Sequence, residues 1–171
     1  MADEGTVHGQ AGSPPDPPRI GSLEATIDEK GRLRIPAQYV KYINSLGDTS
    51  VFVTCVGQDT ARVFPLSVWK RNEALFEGTR GDKEFAAAAA RLKTLASYTG
   101  IESEMDANGR VALSQKLRDA MGMQPKSSAH ITFHNGAFNL ETDAVMQRRL
   151  SAALAGPDEN AQSVLDSHGV R

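Results

Sequence analysis

The chain has 171 residues, 40% of them hydrophobic and 23% charged, and a formal net charge of −2. No run approaches the roughly 18 apolar residues of a membrane-crossing helix; the longest, Phe85 to Ala90, is bounded by Glu84 and Arg91. A single cysteine, Cys55, excludes an intrachain disulfide and a cysteine-rich zinc module, and fits a reducing compartment.

The chain opens with an acidic, proline-rich stretch. Residues 1–18 hold Asp3, Glu4 and Asp16, no Lys or Arg, and the run Ser13-Pro14-Pro15-Asp16-Pro17-Pro18. They show no strand or helix period and lack the basic-then-apolar pattern of a secretory signal, so they are expected to be disordered or extended. Residues 155–171 are acidic as well, with Asp158, Glu159 and Asp166 against Arg171. Subtracting both tails from 19 basic and 21 acidic side chains leaves 18 and 15, a net of +3 for residues 19–154. A mildly basic body between acidic tails permits a nucleic-acid partner without demanding one.

From Leu23 the residues alternate. Leu23, Ala25 and Ile27 fall on one face and Glu24 and Thr26 on the other, the period of a half-buried strand. Asp28-Glu29-Lys30-Gly31 follows as a turn, then a second strand, Leu33-Arg34-Ile35. Pro36 ends that strand and opens a short helix over Ala37 to Leu46, stopped by Gly47. Val51 to Val56 and Arg62 to Phe64 form a hairpin around Gly57-Gln58-Asp59. Ser67 is expected to cap a helix over Val68 to Phe76, with Trp69 packing it onto the strands, and Asp82 one over Lys83 to Ser97.

The same pattern then returns. Leu23 to Pro36 (LEATIDEKGRLRIP) aligns with Ile101 to Ser114 (IESEMDANGRVALS) at an offset of 78 residues. Glu24, Asp28, Gly31 and Arg32 meet Glu102, Asp106, Gly109 and Arg110, and the apolar positions keep phase. Val51 to Thr54 lies opposite Ala129 to Thr132, and Ala61 to Phe64 opposite Ala137 to Leu140. Two related units follow, each strand-turn-strand, short helix, strand-turn-strand. Asn135-Gly136 marks the last hairpin, and Thr142 or Asp143 caps a helix over Ala144 to Leu154. Another short helix is possible over Asn160 to Asp166. Four short strands bury one face only, so each unit needs a partner to close a barrel or sandwich, either the other unit or another chain.

The repeated D-x-x-G-R turn carries the functional signal. Its aspartate can bond backbone two residues on, and its glycine takes positive φ without steric cost. The turn backbone does not need the arginine. A guanidinium there can pair with the turn aspartate, reach a phosphate or read a guanine edge. His130 and His134 sit four apart but on a strand with no carboxylate between them, so no metal site is expected. Cys55 is expected to be a buried, inert thiol, and Lys70-Arg71 and Arg148-Arg149 solvated helix faces. Phosphate-binding glycine loops, nucleophile elbows and paired catalytic carboxylates are missing, so neither enzyme activity nor a cofactor is expected.

IDEKGRLRIPAQ, with MDANGRVAL 78 residues on and ARVFPLSVW between, resembles the MraZ family of bacterial transcriptional regulators, over residues 20–149. The resemblance implies a β-rich α+β fold in which two SpoVT–AbrB-like units form a pseudo-twofold swapped-hairpin barrel with flanking helices. It implies a division into an extension (1–19), a first unit (22–69), linking helices (70–98), a second unit (99–145) and a C-terminal helix and tail (146–171). It further implies a homo-oligomeric ring, cytoplasmic and nucleoid-associated, that binds short direct repeats in double-stranded DNA and represses the division and cell-wall gene cluster with its own promoter. The DNA-facing residues would be Asp28 with Arg32 and Asp106 with Arg110, and Lys30 and Arg34 would add phosphate contacts. The second unit departs from the first: Asn108 replaces Lys30, Ala112 replaces Arg34 and Ser114 replaces Pro36. Its turn is less basic, so equal DNA affinity of the two units is not expected. An AbrB-like protein-interaction module of the antitoxin type, acting through residues 155–171, is the alternative. A barrel whose turns merely brace loops is a third reading.

Overall fold

A computed structural model of the chain describes residues 16–18, 21–78, 82–155 and 161–168. The first half contains β1 (Ser22–Ile27), β2 (Arg32–Arg34), α1 (Ala37–Ser45), β3 (Ser50–Cys55), β4 (Ala61–Pro65) and α2 (Leu66–Gly78). After α3 (Lys83–Thr99) the pattern repeats as β5 (Ile101–Glu104), β6 (Arg110–Ala112), α4 (Gln115–Met121), β7 (Ser128–His134), β8 (Ala137–Thr142) and α5 (Asp143–Ala155), with α6 (Ala161–Ser167) beyond. The fold is α+β. Asp16 to Pro18 form no helix or strand, and the rest of the extension expected at residues 1–19 lies outside the described residues, as does Asn160.

The strands join one antiparallel sheet in the order β5-β3-β4-β8-β7-β1-β2-β6. Each half donates its first hairpin to the other: β1 pairs with β7, aligning Ala25 with Ala129, and β5 pairs with β3, aligning Ile101 with Val53. The partner that closes the barrel is therefore the other half of the same chain. The end strands, β5 and β6, are consecutive in sequence and joined by the Asp106–Gly109 turn, which brings the sheet nearly closed. At that seam the Ser103 hydroxyl oxygen accepts the Ala112 N–H at 2.8 Å, whereas β1 and β2 pair directly.

The alternation read from the sequence supplies the barrel core. Ala25, Ile27, Leu33, Val51, Val53, Val63, Val111, Ile131, Phe138 and Leu140 all lie inside. Burial of each larger side chain is worth about 1.5–3 kcal/mol. Leu33 and Val111 face each other across the β2–β6 ladder at the centre of the pseudo-symmetry, and both are buried. Tyr39 and Ile43 bring α1 onto the core, as Leu117 and Met121 bring α4. A smaller cluster forms under α2, where Trp69 stacks on Phe52 with ring centroids 4.1 Å apart and leans on Phe64 and Phe76. Trp69 thus packs its helix onto the strands as expected.

Among the described residues, the starts of α3, α4 and α5 follow local chemistry, and that of α2 departs from expectation. Asp82 caps α3, its carboxylate accepting from the Glu84 and Phe85 N–H groups at 3.0 Å each. Ser114 caps α4 by accepting from Leu117 N–H, and Thr142 is the residue that reaches the Val145 N–H of α5. Ser67, expected as a cap, lies inside the first turn of α2. Its N–H and hydroxyl both donate to Asp48, so a carboxylate 19 residues upstream does the capping. Cys55 is buried beside Thr99, whose hydroxyl oxygen accepts the Cys55 N–H; burial pushes the thiol's pKa up, which keeps it protonated. Arg148 and Arg149 are exposed, as expected of a solvated face, and they also make ion pairs. Arg148 pairs with Asp59 at 3.3 Å, and Arg149 pairs with buried Glu141 and donates to Thr60, tying α5 to the β3–β4 turn. Lys70 and Arg71 are exposed.

Candidate nucleic-acid interface

Each D-x-x-G-R segment folds into the same turn for the same reasons. In the first, Asp28 Oδ1 accepts from the N–H groups of Lys30 (3.0 Å) and Arg32 (2.9 Å), and Gly31 N–H returns to the Asp28 carbonyl. In the second, Asp106 Oδ1 accepts from Asn108 and Arg110 at 2.9 Å each, and Gly109 N–H returns to the Asp106 carbonyl. Gly31 and Gly109 sit at φ +73° and +70°, where a side chain is strained. These bonds also act on the carboxyls. The Arg32 N–H foremost holds Asp28 below its ordinary pKa, and the Arg110 N–H does the same for Asp106, with smaller help from the Arg32 guanidinium at Asp28 and from the Arg110 and Arg32 guanidiniums at Asp106.

The swap brings the two turns together. On the β2–β6 ladder Arg32 lies opposite Ala112, Leu33 opposite Val111 and Arg34 opposite Arg110. Since Leu33 and Val111 point into the core, the alternation puts Arg32, Arg34 and Arg110 on the outer face. Arg32 donates from Nε and Nη2 to Asp28 Oδ2 at 2.8 Å each, and its Nη1 stands 3.6 Å from Asp106. Arg110 is held less closely, 3.8 Å from Asp106 and 4.0 Å from Asp28. The four groups form one cross-linked cluster over the pseudo-twofold axis. Both arginines remain accessible, with 32% and 34% of their side-chain surface exposed.

Lys30 and Arg34 are exposed and form no ion pair among the described residues. Two further cations near the turns escaped sequence reasoning. Lys126 pairs with Glu29 at 3.6 Å, and the guanidinium of Arg118, on α4, lies against Gly31. Both come from the opposite half, and no short-range pattern announces a contact made by strand exchange. Beside the second turn, a cleft of about 600 Å³ is lined by Arg34, Val40, Lys41, Asn108 and Gly109 among others. His130 bridges Ser22 and Asp143, at 3.3 and 2.6 Å, and so ties β1 and β7 to the start of α5. Among the described residues no three His, Cys, Asp or Glu side chains gather as metal ligands, and no helix is long and apolar enough to cross a membrane.

No family model matches the chain. It is similar to curated proteins named transcriptional regulator MraZ. One from Acidobacterium capsulatum is 31% identical over 100 residues, covering 58% of this chain and 66% of the relative. Another, from Symbiobacterium thermophilum, is 35% identical over 106 residues, covering 61% and 71%. A third, from Leuconostoc citreum, is 28% identical over 148 residues, covering 86% and 96%. The repeated turns, the exchanged hairpins and the extent of this likeness lead to one assignment: the chain belongs to the MraZ family of transcriptional regulators.

Proposed function

We propose that the chain is a sequence-specific, DNA-binding transcriptional regulator, whose reading element is the pair of Asp–Arg turns: Asp28 with Arg32 and Asp106 with Arg110. The observation that carries this reading is the outer face of the β2–β6 ladder. Arg34 stands directly opposite Arg110 there, with Arg32 beside them. Like charges set opposite one another across strands destabilise a sheet, and an anionic partner relieves the repulsion. Asp28 and Asp106 pre-orient the two guanidiniums without burying them. In the bound state the forks exchange carboxylate partners for guanine edges or phosphates, each good bidentate base contact contributing about 1–3 kcal/mol of discrimination. Lys30 and Arg34 supply phosphate contacts.

One such face carries little excess charge, so affinity comes from repetition. The chain acts as a homo-oligomer, a ring in the reading taken from the family resemblance, that sets several faces on successive direct repeats. Leu150 and Leu154, one turn apart on α5, are exposed and form a stripe suited to subunit contact. The regulated region is the division and cell-wall gene cluster with the chain's own promoter, and the action is repression.

Titrating the full-length protein against a fluorescent duplex from upstream of its own gene, with a scrambled duplex as control, tests the reading. Tight, salt-sensitive binding that prefers the native duplex is expected. Indifference between the duplexes at low salt, with an assembled oligomer, would move the assignment to the interaction module.

A further inference from the structure

The two turns have nearly the same backbone, but the residue packed behind each differs. A Cβ built on Gly109 would meet Val40 of α1 at 2.9 Å. A Cβ built on Gly31 would meet Arg118 of α4, with Cζ, Nε and Nη1 at 2.6, 2.8 and 2.9 Å. Val40 and Arg118 are equivalent positions, 78 residues apart. A valine therefore supports the second turn sterically, and the first turn does not need a guanidinium for that purpose.

The guanidinium is also under-satisfied. Its Nε is buried without a hydrogen-bond partner, Nη2 donates to Gln115 Oε1, and Arg118 forms no ion pair among the described residues. A buried donor left without an acceptor calls for a reason. The charge of the turn suggests one. Asp28 and Glu29 cancel Lys30 and Arg32, and the second turn has Ala107 in place of Glu29. Lys126, itself at φ +61°, neutralises Glu29 from the opposite half. Arg118 adds a positive charge that no carboxylate pairs with directly among the described residues; Asp119 is reached only through Gln115.

We propose that Arg118 is a positioning residue for DNA binding, supplied to the first turn by the other half of the chain. Its unneutralised charge raises the potential around Lys30 and Arg32, and its side chain holds the Gly31 backbone in place beneath them. The inference rests on the DNA-binding reading and deepens it. Arg118 acts through the turn, so its effect is electrostatic and sequence-independent, and salt screens it.

The test compares Arg118→Met, which keeps the packing and loses the charge, with Arg118→Lys, which keeps the charge. Both are titrated against the upstream duplex and its scrambled control at several salt concentrations, and melted by circular dichroism. The expected result for Arg118→Met is an unchanged melting temperature and roughly three- to tenfold weaker binding to both duplexes at low salt, the gap closing as salt rises. Arg118→Lys should recover most of the loss. Wild-type affinity in Arg118→Met would overturn the proposal, as would equal losses in both variants or a lowered melting temperature that accounts for the loss. Absence of binding by the wild-type protein, or by contrast full binding by Arg32→Ala, would sink the DNA-binding reading itself, which separates the two failures.

Discussion

The two turns show how much of a duplicated site can diverge while its backbone stays the same. Asp28 and Asp106 accept matching pairs of N–H groups, and Gly31 and Gly109 differ by only three degrees in φ, at +73° and +70°. The side chains are not matched. The Arg32 guanidinium makes two 2.8 Å contacts to its own aspartate, while the Arg110 guanidinium comes no nearer than 3.8 Å to either carboxylate. Lys30 and Arg34 have become Asn108 and Ala112 in the second copy. The aspartate and glycine set the turn geometry, because backbone bonding and positive φ depend on them. The neighbouring positions are free to vary, and they set charge. The first turn has the more basic flank and the more closely held arginine, and the second the less closely held one.

The largest effect should come from breaking both turns together. Leu33 and Val111 form the pivot they share, and Leu33 is fully buried. Leu33→Ala should cost about 2–5 kcal/mol of stability, read as a lowered denaturant midpoint. DNA binding by the folded remainder should fall as well. If the variant kept wild-type stability, Leu33 would not be packed in the barrel core at this ladder. Next come the arginines taken singly. Arg32→Ala should weaken binding to the native duplex by about 1–3 kcal/mol, with a much smaller change in unfolding, and Arg110→Ala should cost less. Equal losses would mean that the flanking charges do not distinguish the turns. A larger loss for Arg110→Ala would make the loosely held arginine the principal reader.

These inequalities explain which parts of the structure were legible in the sequence. Strands, turns and most helix ends depend on near neighbours, and the alternation at Leu23 to Ile27, the D-x-x-G-R spacing and the Asp82 cap expose them directly. Asn135 and Gly136 take the paired positive φ values, +48° and +78°, that an Asn-Gly hairpin leads one to expect. Strand exchange is a different matter. The halves repeat one pattern, so β1 suits its own half, the other half or another chain equally well by residue type. The family resemblance pointed to the swapped hairpins that the sheet shows, but not to the contacts that follow from them: the cross-pairing of Arg32 with Asp106, the approach of Arg118 to Gly31, and Lys126 beside Glu29. The capping of α2 by Asp48, 19 residues upstream of Ser67, and the Arg149–Glu141 pair, eight residues apart, each reach beyond one element, so no single element's pattern announces them. The sequence paired Asp28 with Arg32 and Asp106 with Arg110; the union of those four into one cluster arises from the fold, with Lys30 and Arg34 exposed beside it.

The smallest predicted effect tests whether the asymmetry persists in solution. Both carboxyls are held below the ordinary aspartate value of 3.8. A depressed carboxyl contributes stability that is present above its unfolded pKa and is lost as pH falls through the folded one. The melting temperature should therefore decline on acidification below about pH 4, partly through these two groups. Asp28→Asn and Asp106→Asn keep an oxygen for the turn N–H groups but remove the charge, so each should flatten the acid limb. Asp28→Asn should flatten it more, because Asp28 holds a guanidinium at 2.8 Å and the nearest to Asp106 is 3.6 Å away. Measuring melting temperature against pH for the wild type and both variants decides the matter. Identical curves for the two variants would mean that the arginines trade partners across the pseudo-twofold axis fast enough to average. The two turns would then differ only in Glu29, Lys30, Arg34 and the residues packed behind them.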